Sequence, residues 1–201
     1  MPTSAPLMGE PWPVELMNTV WADRDGQYDA LDDDGEARVW LAVARSAPVL
    51  TVAGTSDDDR AALPRLRELR DALRRLAADV TGDPRTSWRS PVGSNEAVDT
   101  IDAIAATAPS WAALERAGDG ALVRVTRSAA SSADAVVSLI AQQGVELFAD
   151  GGPPLRACLA PGCVLYFVAH HPRREWCSAG CGNRARVARH YRRHRGSPAA
   201  T

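Results

Sequence analysis

Lysine is absent from all 201 residues, so every side-chain cation other than histidine is an arginine. That excludes chemistry resting on a lysine amine, including the P-loop and Schiff bases with pyridoxal cofactors. Histidine and cysteine are missing from everything before Leu155, and all four of each lie beyond it. Residues 1–155 thus lack a histidine general base and a cysteine nucleophile, and catalysis there would have to rest on carboxylates, Ser/Thr or Tyr. No carboxylate pair declares itself, and the chain reads as a non-enzyme.

Long apolar runs are missing too. Val39–Val52 is interrupted by Arg45, and Ala135–Phe148 by Gln142, Gln143 and Glu146, so neither would span a bilayer. The opening MPTSAPLMGEPWPVELMNTV has no basic start and no unbroken apolar core, unlike a signal peptide. The expected location is the cytoplasm, where thiols stay reduced and clustered cysteines favour a metal over disulfides.

What is present is a hydrophobic content of 45%, ample for a globular core, and an uneven charge. Before Leu155 there are 14 arginines against 24 acids; from there on, 9 arginines stand against the single Glu175. An acidic body with a basic appendage suits a polyanionic partner.

VELMNTVWADRD (14–25) reads as a short buried helix or strand. In EARVWLAVARSA, Val39, Trp40 and Val43 have helical spacing. Leu63, Leu66, Leu69, Leu73, Leu76 and Val80 form the apolar stripe of an amphipathic helix, with Pro64 in its first turn. Ser94 is placed to cap a helix holding Val98, Ile101, Ile104 and Ala105. Gly118-Asp119-Gly120 reads as the turn of a small hairpin, and Val136, Val137, Ile140 and Phe148 mark a further helix. GGPP at 151–154 stops that helix where the charge reverses, predicting a domain boundary between two separate cores. The expected fold is mainly α: a helical domain over 14–150, then a small finger over 155–195.

The cysteines follow the pattern C-x4-C-x13-C-x3-C, as Cys158, Cys163, Cys177 and Cys181. LAPG between the first two suits a tight turn that aims both thiols at one point. VLYFV follows as a strand, AHHPRR turns it back, and the last pair opens a helix on one face. Cysteine turn, hairpin and helix-borne cysteines, in that order, are the treble-clef plan for a structural Zn2+ with four thiolates and no open position. About 40 residues cannot bury enough core to fold alone, so the metal must supply much of the stability. Two disulfides, or two cysteines with His190 and His194, are alternatives. His170 and His171 read as exposed turn residues.

REWCSAGCGNRARVARHYRRHR (174–195) resembles the CGNR zinc finger family, named for Cys181-Gly182-Asn183-Arg184, with Cys158 and Cys163 matching the first cysteine pair. ELMNTVWADRD, with Asn18-Thr19, and the helical middle look like the ABATE-type domain that precedes such fingers in stress-induced transcription regulators. The resemblance implies zinc binding and DNA as partner.

Four thiolates around zinc leave a charge of about −2, so some arginine is expected to neutralise the site. Arg184 takes that place beside the ligands, and Asn183 a local hydrogen bond. Arg186, Arg189 and Arg193 fall on the side of the helix opposite Val187, Tyr191 and His194, as a phosphate-facing stripe. With Arg173, Arg174 and Arg192 they are the expected nucleic-acid contacts, to DNA or to RNA.

Asp32–Asp34 and Asp57–Asp59 suit a loop and a helix start better than a metal. Trp12, Trp21, Trp40, Trp88 and Trp111 pack a core or an interface, or else line a pocket for a small-molecule effector. The leading functional expectation is a zinc-dependent nucleic-acid-binding regulator whose helical domain senses or forms a homodimer. The alternative is an adaptor whose basic finger docks on an acidic protein.

Overall fold

The computed structural model describes residues 5–47, 52–53, 59–86 and 90–195. Helix α1 (Trp12–Met17) carries Pro13 in its first turn, where the missing N–H would have had no partner. Strands β1 (Val20–Ala22) and β2 (Gln27–Asp29) form an antiparallel hairpin. Its turn is closed by Asp23 Oδ1, which accepts the Asp25 and Gly26 N–H groups at 2.8 and 3.1 Å. The first apolar element, open between helix and strand on sequence, is both.

Helix α2 (Asp34–Ser46) is capped by Asp33, whose Oδ1 accepts from Gly35 and Glu36 at 2.8 and 3.0 Å. The helical spacing is as expected and the buried face is not. Ala37, Trp40, Leu41 and Ala44 face inward, while Val39 is 60% and Val43 40% exposed. The small alanines let the helix lie close to its neighbours, and the i, i+3, i+4, i+7 pattern they make with Trp40 and Leu41 is the more complete stripe.

Helix α3 (Leu63–Thr81) buries Leu63, Leu66, Leu69 and Leu73, as its spacing predicts, and ends at Gly82, whose φ of 59° is the left-handed cap. Val80 is exposed. Helix α4 (Ser94–Thr107) begins one residue earlier than the serine cap requires. Gly93 is the N-cap, and Glu96 Oε2 accepts the Gly93 N–H at 3.2 Å, leaving Ser94 inside the first turn. Helix α5 (Ser132–Phe148) is capped by Ser131 and presses on α3 at Gly144, where a Cβ would stand 2.8 Å from Leu73 Cδ2.

Between α4 and α5 runs the expected hairpin, β4 (Ser110–Arg116) against β5 (Leu122–Ser128), with β3 (Val52–Ala53) parallel to β5. Trp111, Leu114 and Leu122 on it are exposed. The chain is thus roughly half helical, with small strand pairs added to the helical plan.

The C-terminal segment contributes β6 (Leu155–Ala157), antiparallel to β7 (Tyr166–Val168), and helix α6 (Ala179–Arg195). The expectation of two separate cores is overturned. Tyr166 and Val168 belong to the same buried cluster as Leu16, Leu66, Leu73 and Ile140. A second cluster joins Trp21 and Ala30 to the four cysteines and Phe167. The physical reason is that neither piece can dry its own inner surface, so the β7 face closes the open end of α1 and α3.

Polar bonds fix that junction. Asn18 Nδ2 donates to Tyr166 O at 3.0 Å and Asn18 Oδ1 accepts from Tyr166 N at 2.9 Å, so one amide replaces a missing strand partner. Arg74 donates to Met17 O at 2.8 Å and lies over the Tyr166 ring, with burial pulling its pKa down to about 10. Tyr166 Oη donates to Asp83 Oδ2 at 2.8 Å, and burial pushes the phenol up to about 12. Glu10 accepts from Val168 N at 2.9 Å.

Asn18→Ala would orphan the Tyr166 N–H and C=O inside the junction. Each unsatisfied buried group costs about 1–3 kcal/mol, so urea unfolding should show a loss of about 2–4 kcal/mol. A change below about 0.5 kcal/mol would mean that the amide is not what holds β7.

Candidate metal centre

Each cysteine is placed by local backbone chemistry. Cys158 follows β6 and Cys163 precedes β7, joined by a turn in which Gly162 has φ 73° and Cys163 N donates to Ala160 O at 2.9 Å. Cys177 and Cys181 flank the start of α6. Ser178 Oγ accepts the Cys181 N–H at 3.2 Å and so closes the first turn. Gly182 packs closely on the indole: a Cβ there would stand 3.1 Å from Trp176 Cδ1.

All four sulfurs are buried and lie within 4.8 Å of one another. Cys177 Sγ is 3.4 Å from Cys181 Sγ and 3.8 Å from Cys163 Sγ. A tetrahedral ion with bonds of about 2.3 Å would hold sulfurs about 3.8 Å apart, so the donor set fits a thiolate-bound metal ion. The cysteines are free, and disulfide bonding needs sulfurs at about 2 Å. Among the described residues no other group of His, Cys, Asp or Glu gathers this way. His190 is exposed and outside the quartet, and the His194 side chain lies outside the described residues. His170 and His171 are exposed at the hairpin tip.

Arginines surround the quartet. Arg184 Nη2 donates to Cys181 Sγ at 3.0 Å. Arg85 Nη1 donates to Cys163 O at 2.7 Å and Cys158 O at 3.2 Å, while its other nitrogens meet Asp83. Burial works to raise the Asp83 carboxyl, but hydrogen bonds from Arg85 and Tyr166 hold it below the usual range. Arg174, expected among the nucleic-acid contacts, instead turns inward. It donates to Val168 O and Cys177 O, each at 2.9 Å, pairs with Glu10 at 2.5 Å and lies over the Phe167 ring. Glu10, Asp83 and Arg85 are far from the cysteines in sequence, and no local pattern marks them.

Beyond its first turns α6 stands away from the body. Cys181, Gly182 and Ala185 are buried, whereas Val187 is 54% and Tyr191 63% exposed, so the apolar face expected from Val187 and Tyr191 lies largely open among the described residues. Arg186, Arg189, Arg192 and Arg193 are exposed, as is Arg173 on the preceding loop. Asn183 Oδ1 accepts from Arg186 Nη2, a bond local to the helix.

Elsewhere, Asp33 is a cap, Asp34 meets Arg67 and Asp59 meets Arg45; Asp57 and Asp58 lie outside the described residues. Trp12 edges Trp40 at 5.8 Å and Trp21 stacks on Tyr28 at 5.2 Å; Trp88 lies outside the described residues. No helix among them is long and apolar enough to cross a membrane.

The fold and site define a helical domain that ends in a four-cysteine metal finger. Residues 10–151 match the ABATE family, described as "putative stress-induced transcription regulator", and residues 155–194 match the CGNR zinc finger. The chain belongs to the ABATE family and carries a CGNR zinc finger after that domain. Comparison with curated proteins gives no match.

When no metal compensates them, the sulfurs must share protons. Hydrogen bonds from Cys163 and Cys177 pull Cys158 down to about 2, and donating to Cys158 pushes Cys163 up to about 12 and Cys177 upward as well. Cys163 and Cys177 thus carry protons at neutral pH, and a metal must expel at least those two. Chelator competition should show apparent affinity falling at least about 100-fold per pH unit of acidification. A pH-independent affinity would contradict thiolate ligation.

Cys177→Ser should abolish tight metal binding by elemental analysis, and full occupancy in that variant would remove Cys177 from the ligand set. Because Trp21 and Ala30 share the cysteine cluster, the same change should also lower the melting temperature of the N-terminal helices.

Proposed function

We propose that the chain is a zinc-dependent nucleic-acid-binding regulator, with Zn2+ on Cys158, Cys163, Cys177 and Cys181 in a treble-clef arrangement. The metal's role is structural: four protein ligands leave no position for substrate. Arg184 serves the sulfurs, and Arg173, Arg186, Arg189, Arg192 and Arg193 meet the phosphates, of DNA in the first instance and of RNA as the variant. Arg174 leaves the contact set for the junction.

One contrast carries this reading. In the body, Arg45, Arg65, Arg67, Arg70, Arg75, Arg85 and Arg127 each meet a carboxylate. Among the described residues, none of the five outward arginines of the finger does so. A rigid helix end carrying unanswered guanidiniums matches a phosphate backbone, and zinc fixes its direction before binding.

With about five phosphate contacts, log affinity should fall against log salt with a slope of roughly −4 to −5. Arg186→Glu with Arg189→Glu should weaken binding to every duplex and flatten that slope while the zinc content stays unchanged. Equal affinity of the double variant and the parent at low salt would sink the proposal. Binding of an acidic protein but no duplex would replace it with the adaptor reading.

A further inference from the structure

The β4–β5 hairpin ends on a strand with an open side. The strand order of its sheet is β3-β5-β4, so β4 is an edge along its whole length, and among the described residues no second strand pairs with it. No residue of 111–116 is buried, nor any of 122–127 across from them, so the hairpin stands clear of the core on both faces. A two-stranded ribbon is marginal by itself, and the third strand, β3, adds only two residues. A long open edge is also a template for another chain, which natural sheets block with prolines, bulges or charges. The middle of β4 has none of these. Trp111-Ala112-Ala113-Leu114 is uncharged and free of proline, and the register with β5 runs one to one from end to end.

The phase of the ladder fixes which backbone groups are open. Ala117 N donates to Ala121 O at 2.8 Å, which makes that pair a hydrogen-bonded one. Such pairs alternate with non-bonded ones in an antiparallel ladder. Glu115, Ala113 and Trp111 therefore bond to β5, while Ser110, Ala112, Leu114 and Arg116 turn their N–H and C=O groups to the outer side.

We propose that this edge is the interface with a second copy of the chain: two β4 strands pair antiparallel about a two-fold axis at Ala113, and the two sheets become one. That register sets Ser110 against the partner's Arg116 and Ala112 against the partner's Leu114, so every outward residue of β4 is paired. An axis at Ala112 would leave Arg116 without a partner, and one at Leu114 would leave Ser110. The side chains agree. Leu114, 70% exposed, gains the partner's Ala112 opposite and the partner's Leu114 on the diagonal. On the other face Arg127 lies opposite Trp111 and meets its own Glu115 at 3.4 Å. The pairing brings the partner's Glu115 to the far side of that Trp111. Strands two apart are separated by roughly 10 Å, less than the four residues of strand that the Arg127–Glu115 pair already bridges within the hairpin. Each guanidinium then serves two carboxylates, and no like charges stand opposite one another. The interface does not depend on the nucleic-acid reading; where both hold, the dimer carries two fingers.

The full chain loaded with Zn2+ should sediment as a concentration-dependent dimer. Ala113→Cys places two thiols across the axis in a non-bonded pair, where Cα atoms stand about 4.5 Å apart and a disulfide fits. Oxidised glutathione should convert this variant to a covalent dimer, and Ala112→Cys, which faces the partner's Leu114, should cross-link at least about 10-fold less. The parent, with its cysteines on the metal, should not cross-link. Leu114→Arg changes an exposed position and should leave the melting temperature and zinc content as they are. It should weaken the dimer at least about 10-fold, because it sets two like charges on the diagonal at the axis.

A chain that stays monomeric throughout a concentration series overturns the proposal. So does a dimer untouched by Leu114→Arg, or equal cross-linking from Ala112→Cys and Ala113→Cys, which would place the contact elsewhere. Duplex affinity measured on the same proteins separates the two claims. A monomer that binds duplex sinks only the interface, and a dimer that binds none sinks only the regulator.

Discussion

Four sulfurs held within 4.8 Å of one another in a buried place set the terms for the rest of this molecule. As thiolates they repel one another, and a cation among them would remove that repulsion, so the arrangement suits a metal ion. Three guanidiniums reach the quartet, one at a sulfur and two at the cysteine carbonyls. Arg184 comes from the helix that carries Cys181, Arg174 from the loop before it, and Arg85 from the helical domain. A finger whose first cysteine pair has its carbonyls held by an arginine from another segment is not an independent bead on the chain.

Hydrophobic burial reaches the same result by another route. Phe167 and the cysteines alone make too small a core, and Trp21 and Ala30 complete it from the β1–β2 hairpin. Tyr166 and Val168, on the alternate face of the same strand, enter the main core. A strand of three residues therefore belongs to both cores, which is what the two-residue side-chain period of a β-strand permits. Asn18 then supplies the hydrogen bonds that a neighbouring strand would have made. The β1–β2 hairpin and the four cysteines therefore share one packed cluster, and a change that shifts the hairpin moves the walls of the quartet.

How much of this could be read in the sequence depends on distance along the chain. The cysteine spacing was legible because ligand chemistry constrains short segments: a tight turn for one pair, a helix start for the other. The α3 stripe was legible for the same reason, since one helix face repeats within a few residues. The buried face of α2 is not the one that Val39 and Val43 mark, because valine is more apolar than alanine, while the small residues that permit close packing carry little apolar signal of their own. Ser94 has the side chain of a cap, but the cap is Gly93, whose N–H is met by Glu96, a bond that a reading of cap side chains alone does not show. Arg174 could not be separated from its neighbours on sequence at all. Its partner Glu10 lies 164 residues away, and a local reading counts only its charge.

The exclusive use of arginine acquires a physical meaning from these placements. In the body a guanidinium can grip a carboxylate with two nitrogens, as Arg85 does with Asp83. At the junction it donates to carbonyls in several directions at once while its flat face lies on a ring, as Arg174 does over Phe167 and Arg74 over Tyr166. A lysine ammonium, compact and strongly hydrated, could not serve the junction without losing its proton or its water. On α6, Arg186, Arg189, Arg192 and Arg193 meet no carboxylate among the described residues, and Glu175 is the one acid beyond Leu155. The body pairs seven of its arginines with carboxylates, the junction engages Arg74 and Arg174 with carbonyls and rings, and the exposed arginines of the helix end stay open to a partner with negative charge of its own.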